Sequence, residues 1–565
     1  QACWPGQRPN GVVNVINGKP AGRMAGVSPG LRVCGRLGPG DDTRVKAMAR
    51  HLGDQVSGVL EHPHGCVWGA APHVRAAGPT VAVWSAAPLP DVLPAGQHEA
   101  ATAHSACSLD AAAAVLHTDA AGAVPLYLDE HDAHFSSRLG PLARTGSRPL
   151  RPDWDAWAHV IGAGAPLEGR TTFAGIRRLG PWTRVTAGQA GGPQVTAAGW
   201  PWLEIDEAHD TEPDTLREAL AATVAATAAL GPVAPLLSGG WDSRVLTALA
   251  NRSEPGATAW TTSSDTGHAL EQLVAAQVAA TLGTNHEIIA PRWDQFSADL
   301  EHFAGTVDYQ TSFHVWAVPL AAAVAHSGAT VLDGLGGGIF VGGAFSDDGS
   351  ARPVLDRRFG RLAHYLDAAD SVLHPNVSAQ VRERTRASFE RVAGPLADHP
   401  FGATFTAYLT RTLPGISLSP FGLFADGSPV ATPFLADAVV RAALAIPPGQ
   451  HADGRLYPEL LRPLAPALAD LPTAAALAPR HRRHKRRVSS AGAASAFRGL
   501  LTAEPVRSLL APQLARADIE TWRALLDRTA SQHLIRGLAI LALWLQRYAP
   551  LLDDPSPDQL LEPAG

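Results

Sequence analysis

The segment Val233-Ala-Pro-Leu-Leu-Ser-Gly-Gly-Trp-Asp-Ser-Arg-Val245 constrains this chain more than any other. An apolar run ends at Leu237, two glycines follow Ser238, and Asp242 and Ser243 open an amphipathic stretch. That order predicts a buried strand, a tight turn and a helix. Paired glycines let a backbone approach a ligand closely, and a helix start presents its N–H groups to an anion. With hydroxyls at Ser238 and Ser243 beside it, the turn reads as a pyrophosphate cradle. Asp242 gains by facing phosphate only across a cation, so it reads as a Mg²⁺ ligand. The plainer alternative is a helix cap, because Ser and Asp are common at helix starts.

The texture around the segment agrees with it. From about 205 onward, Ala- and Leu-rich amphipathic stretches (Glu212–Leu230, Ala269–Leu282, Val315–His326) alternate with short apolar runs (Val233–Leu237, Ala257–Thr261, Thr330–Leu332). Such alternation predicts a parallel sheet with crossover helices, and the chain beyond about 355 reads as mostly helical. From about 24 to 200 the pattern is different. Short β-like runs such as Thr80–Trp84 and Val124–Leu128 are broken by turn residues, with one helical stretch at Pro152–Gly162. The Gly/Pro-rich stretch Gly188–Trp202 reads as the junction. The expected organisation is a flexible extension over 1–23, a sheet-rich domain over 24–200, a synthetase-type domain over 205–550, and a frayed tail over 551–565. The folded protein is expected to begin near Met24.

Composition narrows the class. The chain has 565 residues, 46% hydrophobic and 17% charged, which permits large cores and excludes wholesale disorder. None of the four cysteines forms a CxxC pair, so a reducing cytoplasm is the expected setting. No run of about 18 apolar residues is free of charge or proline, so a membrane partner is not expected. The net charge is −6, yet Arg480-His-Arg-Arg-His-Lys-Arg-Arg487 carries six of the 46 basic residues, leaving 40 basic against 52 acidic elsewhere. A nucleic-acid binder would spread its basic surface along a face, so nucleic acid is not the expected partner.

The Ser238–Ser243 segment resembles the pyrophosphate loop of the ATP-pyrophosphatase enzymes, in the branch that includes asparagine synthetase. Other collinear pieces fit that branch: Glu271–His286, the glycine-rich Val331–Gly343, and Thr432-Pro-Phe-Leu435 with Asp437. Upstream, Asp119–Tyr127, Phe135–Leu139 and Arg170–Leu179 resemble its glutaminase-like N-terminal domain. The resemblance covers about residues 24–550. It implies an α/β fold: a pyrophosphate-loop (adenine nucleotide α-hydrolase-like) parallel-sheet synthetase domain behind an α+β glutaminase-like (Ntn-type) domain. It also implies ATP and Mg²⁺ as cofactors. Leu237, Ser238, Gly239, Gly240, Asp242, Ser243, Thr261, Asp333 and Gly334 would bind the nucleotide, with Asp242 on the metal. In the basic run, Lys485 would meet the charge developing on the departing phosphates, with Arg486 and Arg487 in reserve.

Departures from the family pattern select within it. A glutaminase needs an N-terminal Cys as nucleophile. Neither Gln1-Ala2 nor Met24-Ala25 supplies one, so the N-terminal domain is expected to be a retained structural or binding module. Asparagine synthetases carry Glu at the position of Leu335 and Asp at that of Gly338, and β-lactam synthetases carry Tyr at the former. The remaining resemblance is to the lasso-peptide macrolactam synthetases, or lasso cyclases. These adenylate an Asp or Glu side chain of a core peptide, and the peptide's own α-amine then closes an isopeptide ring. A precursor core peptide, a leader peptidase and a leader-recognition protein are the partners so implied. The rivals are an amidotransferase of the asparagine or β-lactam type, and a degenerate non-catalytic scaffold. His286 reads as a structural hydrogen-bonding residue. Asp308-Tyr309 reads equally as a substrate contact or as a helix-start cap. Asp333 reads equally as a metal or ribose ligand or as a cap on its own loop.

Overall fold

A computed structural model describes residues 13–17, 30–89, 103–109, 113–187, 192–205, 212–263, 269–343, 347, 352–478 and 486–562. In the C-terminal unit the apolar runs pair in parallel, in two three-stranded sheets joined edge to edge by a single bridge. The strand Val233–Pro235 lies centrally, with Thr330–Leu332 and then Val430–Ala431 on one side. On its other side Leu236 bridges to Trp260 in the strand Thr258–Thr262, which runs beside Asn285–Ala290. Helices Trp241–Ser253 and Leu270–Leu282 pack together against these strands, and Phe296–Thr306 and Val318–Val324 form another touching pair. Val233, Ala234, Val331, Leu332, Val430 and Ala431 are all buried, as strands covered on both faces require.

Strand order places the site. After Val233–Pro235 the chain lays its next two strands to one side, then crosses to Thr330–Leu332 on the other. The order therefore reverses at the carboxyl end of Val233–Pro235, and such switch points open a crevice where ligands bind. The Ser238–Gly240 turn leaves the sheet at that point.

The N-terminal unit is β-rich. Two six-stranded antiparallel sheets stack face to face. One is centred on Val33–Leu37, Gly65–Gly69 and His134–Ser136, the other on Val81–Ser85, His104–Leu109 and Ala114–Thr118. Trp84 of one sheet stacks on Phe135 of the other, with ring centres 6.0 Å apart. Helices Thr43–Leu52 and Leu139–Thr145 pack on each other and cover the first sheet. The helical stretch expected at Pro152–Gly162 is Trp154–Gly162, capped by Asp153, whose carboxylate accepts the Ala156 N–H.

Three expectations change. Part of the stretch read as a flexible extension is a strand: Val13–Asn17 runs parallel to Asn285–Ala290 at the edge of a C-terminal sheet. Part of the stretch read as a frayed tail is anchored. Asp553 N–H donates to Leu150 O at 2.7 Å, and Leu560 is fully buried. Asp308 caps not its own following segment but the helix Leu139–Thr145, and with Tyr309 it lines a cavity between that helix and Phe296–Thr306. Both adopt left-handed φ, and the Asp308 carboxylate accepts from Arg138 Nε (3.2 Å), Leu139 N (2.9 Å) and Gly140 N (3.3 Å), tying the two units together.

Candidate active site

The turn after the central strand is organised from within. Ser238 N–H donates to Ser243 Oγ at 3.0 Å, the two hydroxyls lie 3.0 Å apart, and Gly240 N–H donates to Ser238 Oγ at 3.1 Å. Gly239 N–H donates to Glu271 Oε2 at 2.7 Å, and Gly239 O accepts the Ala474 N–H at 3.0 Å. Ser238, Ser243 and the two glycines thus use these hydrogen bonds to shape the turn. What remains for an anion is the start of Trp241–Ser253. No side chain caps that helix, so its first-turn N–H groups at Trp241, Asp242 and Ser243 keep their donor capacity and the positive end of its dipole.

Asp242 stands at this helix start, wrapped by the second glycine-rich loop. A Cβ on Gly337 would lie 2.5 Å from Asp242 Oδ1, and one on Gly334 would lie 3.0 Å from Asp242 Cβ. Gly336 takes a φ of +95°, with Leu435 of the Thr432–Leu435 segment packed behind it. The Tyr457 hydroxyl and the Gly338 N–H both donate to the Asp242 carboxylate. Tyr457 also stacks on Trp241, ring centres 6.0 Å apart and 6° from parallel. Burial pushes the Asp242 carboxyl up to about 6 despite those two donors, and the charge of Asp333 adds to the rise.

Asp333 is the second acid of the crevice. Its Oδ1 accepts the Leu335 N–H at 2.8 Å, and burial pushes its carboxyl up to about 6 as well. The capping role and the site role are therefore compatible, since one oxygen serves the loop and the other is left over. Two carboxylates each raised by burial, one of them further by the other, form an incomplete charge arrangement. Asp242 and Asp333 are the residues that would hold a divalent cation here. Mg²⁺ needs only one or two protein carboxylates when phosphates and water complete its octahedron. Among the described residues no cluster of three or more His, Cys, Asp or Glu side chains forms a dedicated metal cage.

The other sequence-derived residues divide. Leu237 is buried, and its N–H donates to Trp260 O at 2.8 Å, so it supports the turn from the sheet. Thr261 does not offer its hydroxyl to a ligand. It donates to Leu237 O at 2.6 Å and meets His286 Nε2 at 2.7 Å, deep in the core. That contact gives His286 the structural role expected of it, and burial holds its imidazole down to about 4. Lys485 lies outside the described residues. The reserves do not face phosphate: Arg486 donates to Thr529 Oγ1 and Gln532 Oε1 (both 3.2 Å), and Arg487 is buried against Asp299.

Two site residues escaped the sequence reading. Glu271 lay within a quoted segment, but nothing local shows that its carboxylate reaches the turn 32 positions earlier. Tyr457 meets Asp242 from 215 positions away, and an aromatic on a short helix normally means core. Nearby Arg244 faces away from the crevice. Its guanidinium donates to Leu468 O (2.9 Å) and Leu471 O (2.6 Å) and lies over the Trp241 ring.

In the N-terminal unit the described cysteines are no nucleophiles. Cys34, Cys66 and Cys107 are buried, and burial drives all three thiols up, Cys66 to about 12. Cys66 Sγ donates to Asp42 Oδ1 at 3.1 Å.

Residues 215–546 fit the family described as asparagine synthase, an interval that spans the switch point, both glycine-rich loops, Glu271 and Tyr457. No curated protein matches the chain.

Proposed function

The chain belongs to the asparagine synthase family, whose members are ATP-dependent ligases that form C–N bonds, and from that premise we propose that it is a lasso-peptide cyclase built on a pyrophosphate-loop domain. One observation carries the ATP chemistry. Two carboxyls, Asp242 and Asp333, are both pushed up to about 6 beside a helix start that no side chain caps. The helix start would receive the pyrophosphate portion of ATP, and Asp242 and Asp333 would hold Mg²⁺. When bound, Mg²⁺ offsets phosphate charge and favours departure of pyrophosphate. The Tyr457 hydroxyl and the Gly338 N–H fix the Asp242 carboxylate in orientation.

The choice of amine follows from the N-terminal unit. Its described thiols are buried and protonated, so ammonia from glutamine is not the nitrogen source this reading invokes. The acceptor brings its own amine. A peptide α-amine that attacks an activated Asp or Glu side chain of the same peptide meets that condition. A carboxylate oxygen bonds to the α-phosphorus as pyrophosphate leaves. The amine nitrogen then bonds to the acyl carbon as AMP leaves and a proton is lost. Buried, apolar Leu335 supports this reading, because asparagine- and β-lactam-forming relatives carry a polar side chain at that position. A leader peptidase and a leader-recognition protein complete the proposed setting.

The test is to incubate the full chain with ATP, Mg²⁺ and a leader-free precursor peptide, followed by mass spectrometry. The expected product has lost one water and resists unthreading. Lys485→Ala should lower kcat by roughly 10²–10³ while changing KM for ATP little, as for a cation acting on developing charge. Pyrophosphate release with a small amino acid and none with a peptide would overturn the cyclase reading. Failure of every carboxylate to elicit pyrophosphate release would overturn catalysis itself.

A further inference from the structure

We propose that Glu271 is a positioning residue for the nucleotide turn: through the Gly239 N–H it holds Ser238–Gly240 in its ligand-binding shape before a nucleotide arrives. The inference rests on the ATP-dependent reading above.

The turn has three backbone donors, and two are satisfied locally, by Ser243 Oγ and Ser238 Oγ. Gly239 is different. Its N–H goes to Glu271, on a separate helix, at 2.7 Å, and its carbonyl takes the Ala474 N–H at 3.0 Å. Both faces of one residue are thus fixed by segments far apart in the chain. The fit is close: a Cβ on Gly239 would lie 2.4 Å from Ala474 Cβ and 3.2 Å from Glu271 Oε2. Glu271 occupies the first turn of Leu270–Leu282, where an acid ordinarily serves its own helix dipole. Here the carboxylate reaches outward to the Gly239 N–H instead. A bond to an ionised acceptor is about twice as strong as a neutral one. A turn already shaped loses less order when its ligand binds.

The same carboxylate also brings a negative charge to the turn. Among the described residues no Lys or Arg side chain donates to the turn. The acceptor oxygen therefore helps the turn while the charge opposes the phosphates, and substitutions can separate the two. Glu271→Gln keeps an acceptor of equal reach and removes the charge. Glu271→Ala removes both, and Glu271→Asp keeps the charge but falls one methylene short.

The test is calorimetric binding of α,β-methylene-ATP with Mg²⁺ to the full chain. It is paired with amide hydrogen exchange at Gly239 in the absence of nucleotide. Glu271→Ala and Glu271→Asp are expected to bind about tenfold more weakly and to exchange faster at Gly239. Glu271→Gln is expected to bind within about threefold of the parent, or more tightly, with exchange still slow. Parent-like affinity and exchange in Glu271→Ala would overturn the positioning role alone. Glu271→Gln as weak as Glu271→Ala would also overturn it, because the charge and not the acceptor would then be what matters. No binding by the parent chain would overturn the nucleotide reading, and the positioning role with it.

Discussion

In the turn Ser238–Gly240, glycine makes room for neighbouring structure: Ala474 presses on Gly239, and each N–H is matched by a side-chain oxygen of the protein itself. In the loop Gly334–Gly338, glycine makes room for one carboxylate, and side chains at Gly334 or Gly337 would strike Asp242. The two loops face each other across Asp242, yet the first is a rigid frame and the second a fitted sleeve. A glycine-rich loop beside a nucleotide is usually read as donors aimed at phosphate. Here the donors without a side-chain partner belong to the helix after the first loop, and the second loop wraps an acid.

Gly337→Ala should show the contrast most strongly. Its Cβ would lie 2.5 Å from Asp242 Oδ1, 2.7 Å from Cγ and 3.0 Å from Cβ, so the carboxylate is displaced before the helix start has to shift. Turnover should fall by about 10² with the melting temperature nearly unchanged, as expected when a reacting group is misplaced by about an ångström. Gly240→Ala is the control. Gly240 sits at φ −88° with only Ser238 Oγ near its missing Cβ, at 3.3 Å, so less than about fivefold should be lost. Equal losses in the two variants would erase the distinction between frame and sleeve.

A smaller effect is expected from the acids around the sleeve. A Cβ on Gly338 would lie 3.6 Å from Asp242 Oδ2, an ordinary contact, so Gly338→Asp brings a further carboxylate to the metal. It should lower the Mg²⁺ concentration for half-maximal activity severalfold, and Asp333→Asn should raise it. A Mg²⁺ titration in which neither midpoint moves would mean that the sleeve serves Asp242 without addressing the metal.

The frame was more legible in the sequence than the sleeve. The order strand, Ser-Gly-Gly, Asp-Ser, helix is local, and local order is what periodicity and turn chemistry report. It located Val233–Pro235, Trp241–Ser253 and Asp242 within a few residues. Asp333 was found for the same reason, because it ends a short apolar strand. That the Thr261 hydroxyl turns inward, to Leu237 O and His286, is not legible locally, because a hydroxyl at a strand end looks the same whichever way it faces. Glu271 and Tyr457 act across 32 and 215 positions, and no local pattern carries that distance. The strand at Val13–Asn17 carries a β-branched run, Val13-Asn-Val-Ile-Asn17, but it is short and the surrounding Gly, Pro and Asn residues dominate the reading of 1–23.

A separate expectation concerns pH, and it separates the crevice from the core. Burial holds His159, His286 and His314 down to about 4. Below the unfolded value of 6.5 the unfolded chain takes up protons that these sites refuse, so stability present above pH 6.5 is lost as pH falls toward 4. For each of the fully buried His159 and His286 the loss reaches about 3 kcal/mol at the end of that window. Asp242 and Asp333 act oppositely. Raised to about 6, they take protons more readily in the folded chain and recover stability between pH 6 and the usual carboxylate range. The melting temperature should therefore fall between pH 6.5 and 4, more steeply in Asp242→Asn than in the parent. A flat profile in both proteins would contradict these assignments.

The central claim is that Asp242, placed by the sleeve and standing at an uncapped helix start, holds the metal on the nucleotide. The most direct measurement is the affinity of the full chain for α,β-methylene-ATP, with saturating Mg²⁺ and again with a chelator, in the parent and in Asp242→Ala. The account predicts that Mg²⁺ tightens binding by the parent at least about tenfold, about 1.4 kcal/mol. It predicts that Asp242→Ala binds nearly alike in both conditions while remaining folded. A variant that keeps the parent's full dependence on Mg²⁺ would contradict the account.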